Sequence, residues 1–473
     1  MPTVMPGPNV CLSSHRTLTT LSLFLSFQYK MKGVAGVGLL GSALVLADTL
    51  QQVAQKPILA DACPSDSILH NGECQPAILG AQTMDNIRQN TTITLEEARA
   101  SAQEHEGFPW TFLPECYSNE KQTEPVCVFS DQDFAGGRGI FLVTTTPLAY
   151  EMLKKPAFSQ PEALSRMNQH SNPPFEEHDF PGKGRGIVAN KTLHRGDQIF
   201  ASTPLVISNP LSYNLVDSER LRLGHRGVDT LPPDTQKLFW GLLDHFKGDP
   251  VEDRINTNAF DITINKVQQY AVMPEIAMMN HDCRPNAAYF WDEDTLSHYV
   301  HATQTIYPGE EITITYINNE RKREARMKNL KTNWGFDCSC SSCAAHPIFA
   351  AESDARIQAI ENIAEALNDW TSSSTATPEM AETMLSLYAQ ERLEASMGVA
   401  YKHAAEVYSS FGDRYTAIKY AQLALEMLHL DRGFNDNDIK FMLAMAKDPE
   451  QSWSWKKRVG HKRFEDSSCG HAH

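Results

Sequence analysis

Three cysteines fall within six positions, Cys338, Cys340 and Cys343, in the stretch CSCSSC. A structural zinc site takes four ligands. Three supplied this close together leave the fourth to come from elsewhere, so a distant segment has to fold back onto this one. The ten cysteines of the chain offer candidates unevenly. Cys63, Cys74, Cys116 and Cys127 lie early in two pairs, each enclosing ten residues; Cys283 joins the late three; Cys11 and Cys469 stand near the termini. The early four read as disulfide partners and the late four as metal ligands.

At 473 residues the chain exceeds one ordinary core and divides into several domains. With 41% hydrophobic and 21% charged residues it is globular rather than disordered. A formal net charge of −16 argues against coating a nucleic-acid backbone, which needs clustered Lys and Arg, and favours a basic protein or peptide as partner. Residues 33–47, GVAGVGLLGSALVLA, follow Met31 and Lys32 and end in Val45-Leu46-Ala47, a signal-peptidase-like site. The run is too short to span a bilayer, so no transmembrane span is expected in the mature chain. Translation from Met31 would make this an ordinary secretory signal and residues 1–30 an extension; a buried apolar segment is the other reading. Were the signal cleaved, Asn90 in NTT would be a glycosylation acceptor.

Residues 48–150 mix turn-forming residues around the early cysteines, with a helix in TLEEARASAQEH and a Gly turn plus strand in GGRGIFLVTT. The related word GKGRGIV recurs at 182–188, and the following sequence predicts two short strands joined by a tight turn at Arg195-Gly196-Asp197. Residues 210–255 carry apolar positions at helical spacing; AFDITI, AAYFWD, HYVHAT and EITITYI read as strands, and 318–334 as a helix leading into the cysteines. Its basic run reads as a solvated face. From 350 onward the period is helical, and Gly412, Tyr415 and Ala424 fall where a tetratricopeptide helix pair places them. The closing CGHAH reads as a frayed terminus.

Two segments carry chemistry. In MMNHDCRPNAAYFW, Asn280, His281, Asp282 and Cys283 share one turn before Pro285-Asn286 redirects the chain; in YPGEEITITY, alternation sends Ile312, Ile314 and Tyr316 to one face. A lone His beside a core segment is as readily a satisfied imidazole, and a Tyr ending a strand as readily packing. Taken together the signatures go further. Gly-Lys-Gly-Arg-Gly at 182–186, Asn-His-x-Cys-x-Pro-Asn at 280–286, Gly-Glu-Glu-Ile-x-Ile-x-Tyr at 309–316 and Phe-x-Cys-x-Cys-x2-Cys at 336–343 resemble, in order and spacing, the SET-domain protein-lysine methyltransferases. The resemblance covers roughly 175–345 and is nearest the SMYD-like and fungal-type branch. One departure is clear: residues 190–255 hold no cysteine, so the zinc-binding MYND insertion of that branch is absent.

The resemblance implies an α+β fold: a SET domain of short strands with a pseudoknot-like core at 175–318, a cysteine-rich post-SET zinc segment at 319–346 and a helical, tetratricopeptide-like region at 350–473. It implies S-adenosylmethionine and zinc as cofactors and a protein substrate presenting lysine in a basic segment, histone tails among them. Lys183, Gly184 and Arg185 match the glycine turn that approaches the cofactor, with Gly186 keeping it open. Asn258 matches an asparagine near the methionine moiety, Asn280 and His281 the cofactor-holding pair, and Phe336 the aromatic on adenine. Tyr316 matches the tyrosine at the transfer centre. Relatives often carry Tyr two residues before that Phe, along the lysine channel; here it is Trp334. The missing zinc ligand is Cys283, more than fifty residues before Cys338. The earlier GGRGI lacks the downstream HRGDQIF and reads as a structural turn and strand. Two other classes stay open: a catalytically silent SET-fold partner-binding module, and a secreted protein with its late cysteines oxidised. The signal-like segment points to the secretory pathway, the resemblance to nucleus or cytoplasm.

Overall fold

Short β-branched runs between polar turns give this chain many short strands, and their pairing decides which motifs meet. The computed structural model describes residues 67–70, 73–76, 93–118, 124–169 and 171–460. All lie in one of the two compact units of the chain, Leu59–His473. The signal-like run, Cys11, Cys63, Asn90 and Cys469 fall outside the described residues, as does the Cys74 side chain.

In chain order the strands are β1 Ser67–His70, β2 Glu73–Pro76, β3 Glu115–Tyr117, β4 Val126–Asp131, β5 Ile140–Thr145, β6 Phe175–Phe180, β7 Gly184–Ala189, β8 Gln198–Ser202, β9 Val206–Ser208, β10 Ala259–Ile264, β11 Val267–Val272, β12 Asn280–His281, β13 Ala287–Asp292, β14 Ser297–Ala302 and β15 Thr313–Ile314. The helices that matter here are α1 Leu95–Gln103, α2 Asp217–Thr230, α3 Pro233–Trp240, α4 Pro250–Asn258, α5 Arg323–Trp334, α6 Pro347–Asn368, α7 Pro378–Gln390, α8 Met397–Ser410, α9 Arg414–Asp431 and α10 Asn437–Lys447.

A six-stranded sheet runs β10-β11-β9-β5-β4-β3, with β5 and β9 parallel. Along β5, Ile140 and Leu142 enter a core with Ile207 and Ile262. Phe141 and Val143 enter another with Leu223 and Val228 of α2. Cover on both faces explains why IFLVTT is an unbroken apolar run instead of an alternating one. The segment before residue 150, expected to be loop-rich, therefore supplies three strands to the sheet that also holds β9–β11. Cys116 and Cys127 lie directly opposite across β3 and β4 and form a disulfide. Helix α1 begins with a reciprocal capping box between Thr94 and Glu97, which satisfies two of its free N–H groups.

The glycine word opens β7. Its two edges are taken by β6 and by residues 309–312, through the Val188–Glu311 bridge and a bond from Ile312 N–H to the Ile187 carbonyl. That segment continues into β15, parallel to β12, with Asn280 opposite Thr313 and His281 opposite Ile314. Residues 309–314 thus thread between the glycine turn and the Asn280-His281 turn, the pseudoknot-like core expected of this fold.

Two local expectations change. The turn at Arg195-Gly196-Asp197 forms, with Gly196 at φ 93°, but β7 and β8 are not partners: β8 pairs with β14 because β7 has no free edge. EITITYI, expected to alternate, is buried without a break over Ile312, Thr313 and Ile314, because strands and the Asn286 side chain flank it, and it is ladder-paired only over Thr313–Ile314. There the Asn286 side chain takes over, accepting from Thr313 N–H at 2.9 Å and donating to the Glu311 carbonyl at 2.9 Å.

From residue 347 the described chain is helical, as expected, with its own apolar core. Helices α8 and α9 turn about Gly412, at φ 81°, and Gly398 packs on Leu428, so the start of one meets the end of the other. Ala424 is buried and Tyr415 exposed. One such pair does not make a repeat. The region is tied to the strands by Arg284, buried together with Glu391 at the end of α7. Its guanidinium also donates to the Cys283 and Asn319 carbonyls, while Glu391 takes Ser353 and Arg356, each at 2.7 Å.

Candidate functional site

Four sulfurs come together where the threaded core meets the end of α5. Cys283 leaves the β12 turn; Cys338, Cys340 and Cys343 follow Gly335, whose φ of 73° closes α5 in the left-handed conformation that favours glycine. The four Sγ atoms lie within 4.8 Å of one another, with Cys283 and Cys343 at 3.6 Å. All four are buried free thiols. Sulfurs tetrahedral about a zinc at about 2.3 Å stand about 3.8 Å apart, so this donor set fits a zinc ion. Hydrogen bonds from the neighbouring thiols hold Cys340 far below the ordinary thiol range, and the same neighbours push Cys283 up. Cys343 is lowered too and Cys338 raised, so the cluster favours two thiolates at the expense of the other two, and a central cation would remove that conflict.

His281 connects the sulfurs to the aromatic chemistry. Its Nδ1 accepts the Tyr316 backbone N–H at 3.0 Å, and its Nε2 lies 3.3 Å from Cys283 Sγ. Burial pushes the imidazole down to about 4, so at neutral pH it is uncharged, with Nδ1 as the acceptor. Its ring lies 5.3 Å from Tyr316 and 6.3 Å from Phe336. The Tyr316 hydroxyl donates to the Met279 carbonyl at 2.7 Å, and burial raises its phenol well above the usual range.

On the other side of the threaded segment, Glu311 holds two expected cofactor residues at once. Lys183 Nζ donates to one of its oxygens at 2.7 Å and Asn280 Nδ2 to the other at 2.9 Å. Glu311 was not singled out from the sequence; the paired acids of GEE were its only signal, since which one turns inward depends on the threading. Gly186 lies so close to these groups that a Cβ would stand 2.4 Å from Asn280 Nδ2 and 2.8 Å from the Phe180 ring. Gly184 turns at φ 81° with open space beside it. Arg185 donates to the Gly241 carbonyl.

A cavity of about 420 Å³ opens next to Tyr316. Six aromatic rings line it, Tyr213, Phe260, Tyr270, Tyr289, Tyr316 and Trp334, together with Asn258. Trp334 lies 5.9 Å from Tyr316 by ring centroid. Asn258 is fixed by bonds from its amide to the Leu243 and Arg254 carbonyls at 2.8 and 2.7 Å. Of the expected site residues, then, Asn258, Tyr316 and Trp334 share the cavity wall. Lys183 and Asn280 meet at Glu311, and His281 and Phe336 join the wall to the sulfur cluster. The four other rings were not foreseen, because they come from the 210–214 turn, β10, β11 and β13, which only the tertiary fold assembles.

This constellation is that of a SET domain, and the SET domain family matches residues 184–317. Residues 184–317 thus carry a SET domain, and the relatives that the chain resembles are named lysine methyltransferases, SMYD proteins among them. It is similar to "Histone-lysine N-methyltransferase set5" of Schizosaccharomyces pombe, 29% identical over 184 residues, which are 38% of this chain and 53% of that protein. It also resembles "Protein-lysine N-trimethyltransferase SMYD5" of Mus musculus, 44% identical over 69 residues, 14% of this chain and 17% of that one. With "N-lysine methyltransferase SMYD2" of Homo sapiens it shares 32% identity over 118 residues, 24% of this chain and 27% of that one. The chain spans about half the length of the first of these relatives and less of the others. No helix among the described residues is long and apolar enough to cross a membrane.

Proposed function

We propose that this protein transfers a methyl group from S-adenosylmethionine to a lysine side chain of a protein substrate. The observation that carries the reading is Tyr316. Its ring stands in the wall of an aromatic cavity while its backbone bonds to His281 of the Asn280-His281 turn, so one residue belongs to both the substrate and cofactor sides. The chain's residues fit the cofactor: Gly184 leaves open space beside a left-handed turn, and Asn280 sits so close to Gly186 that no side chain fits there. Lys183, Gly184, Arg185, Asn258, Asn280, His281 and Phe336 would hold S-adenosylmethionine, which supplies an electrophilic methyl group when bound.

A lysine amine has an ordinary pKa of about 10.4 and cannot attack while protonated. The aromatic cavity disfavours the ammonium by desolvation and lowers that value. The Tyr316 oxygen orients the neutral amine, and the rings exclude water and align it for in-line displacement. Trp334 fills the channel more than tyrosine would, and we infer that it sets substrate choice or the number of methyl groups accepted. Zinc on Cys283, Cys338, Cys340 and Cys343 would clamp the segment carrying Phe336 to the Asn280-His281 turn. A basic substrate segment, a histone tail among the candidates, suits the net charge of −16. We place the functional boundaries at 175–318 for the SET domain, 319–346 for the zinc segment and 350–473 for the helical region.

Calorimetric titration with S-adenosylmethionine, paired with methyl incorporation into basic peptides, tests the proposal. Binding and incorporation are expected together. Binding without incorporation into any lysine peptide would instead favour a silent SET-fold module, the reading that Trp334 leaves open.

A further inference from the structure

Residues 241–248, between α3 and α4, border three parts of the candidate site. The Gly241 carbonyl accepts from Arg185 of the glycine turn, and the Leu243 carbonyl accepts from Asn258 at 2.8 Å. His245 packs so tightly on Gly335, the residue before Phe336, that a Cβ there would stand 2.5 Å from its Nε2. One carboxylate holds the second half of this loop. Asp253 of α4 is 3% exposed. Its Oδ1 accepts the backbone N–H groups of His245 at 3.0 Å and Phe246 at 2.9 Å, and the Thr257 hydroxyl at 3.0 Å. Its Oδ2 accepts those of Lys247 at 2.6 Å and Gly248 at 3.4 Å.

Four successive amides can converge on one side chain only if the backbone bends sharply, and Lys247 supplies the bend at φ 59°, a conformation costly for a residue with a Cβ. Leu243 and Phe246 are 61% and 50% exposed, so burial of these side chains does little to hold the loop. Leu242 is buried and Asp244 pairs with Arg254 at 3.2 Å, but the backbone from His245 to Gly248 is held by the charge-assisted bonds to Asp253, with the Thr257 hydroxyl beside them.

We propose that Asp253 is a positioning residue for cofactor binding: by folding residues 245–248 its carboxylate fixes the 241–248 loop as a brace, whose Gly241, Leu243 and His245 set Arg185, Asn258 and the Gly335–Phe336 turn. The proposal rests on the methyltransferase reading above. Its reach is specific, because the brace touches the glycine turn, the cavity wall and the lead into Phe336, but neither the Tyr316 hydroxyl nor the cysteines.

The test is Asp253→Asn in the full chain, which keeps the shape but turns an NH₂ toward two backbone donors. Loss of charge-assisted bonds at the brace is expected to raise both the dissociation constant and the KM for S-adenosylmethionine about tenfold. The unfolding midpoint is expected to fall, because a buried amide facing two backbone donors leaves them unsatisfied, while kcat at saturating cofactor and zinc content of the folded variant are expected to stay near wild type; a merely structural residue would lower the midpoint and leave the dissociation constant unchanged. Faster amide exchange at 245–248 is expected alongside. His245→Ala removes the ring against Gly335 without touching Asp253; it is expected to raise the KM in the same direction by less, and it decides the matter should Asp253→Asn not fold. Cofactor titrations indistinguishable from wild type in the folded variants, or a fall in kcat alone, would overturn the brace and leave the methyltransferase reading standing. A wild-type protein that does not bind S-adenosylmethionine would overturn both.

Discussion

Replacing Tyr316 with phenylalanine deletes one oxygen and leaves the rest of the site in place. The ring keeps its neighbours at 5.3 Å in His281 and 5.9 Å in Trp334, and its backbone keeps the bond to His281 Nδ1. What disappears is the 2.7 Å bond from the phenol to the Met279 carbonyl. A neutral hydrogen bond contributes about 1 kcal/mol net, and a buried acceptor left without a partner costs about 1–3 kcal/mol. Against a typical stability of about 5–15 kcal/mol the variant should fold, hold zinc and bind S-adenosylmethionine within about threefold of wild type. Turnover should fall far more, by about 100-fold or beyond, since orienting an amine for in-line attack is worth that much. Thermal unfolding, cofactor calorimetry and methyl incorporation into a basic peptide, measured on one preparation, separate the two effects. A folded Tyr316→Phe protein transferring methyl groups at the wild-type rate would remove Tyr316 from the mechanism and reduce its hydroxyl to a structural bond.

Chelation or Cys343→Ser should release about one zinc per chain and weaken cofactor binding as well as folding, read by metal analysis and calorimetry; metal-free protein with unchanged affinity would dismiss the clamp. Gly186→Ala, which forces Asn280 away from its contact with Glu311, should cost about 1–3 kcal/mol through overpacking and raise the cofactor KM, read by denaturation and kinetics. Glu391→Ala strands the buried Arg284 guanidinium and should destabilise by about 3–5 kcal/mol; a shift below 1 kcal/mol in denaturant unfolding counts against that tie. His298 is 1% exposed, and burial pushes it down to about 3. The unfolded chain therefore binds the extra proton between about pH 6.5 and 3, and stability fully present above that window is lost as pH falls, by at most about 1.4 kcal/mol per unit. Removing the imidazole in His298→Phe should flatten that slope in acid titrations followed by circular dichroism.

The elements legible in the sequence are those whose physics is local. Helical period marked the C-terminal region and α5, and turn residues marked the glycine word. The sulfur set was reachable because three cysteines at close spacing leave one valence open. The strands at Phe175–Phe180 and Val267–Val272 were missed: FEEHDF shows mostly exposed polar residues, and VQQYAV interrupts its apolar pattern with two glutamines. Pairing was missed for a different reason. The edge of β7 goes to residues 309–312 and not to β8, and that choice lies in the path of the chain, not in the letters on either side of the turn.

By itself the sequence determined the chemistry available: four thiols, a buried imidazole, a tyrosine and the glycine turn, each in a short word whose conformation nearby residues set. Only the tertiary structure decided that Glu311 joins Lys183 to Asn280, that Asp253 gathers a loop beside the glycine turn and that six rings from distant segments line one cavity. Backbone propensity and capping act over a few residues, whereas these contacts exist only because one strand threads between two others and brings side chains far apart in sequence within reach of each other.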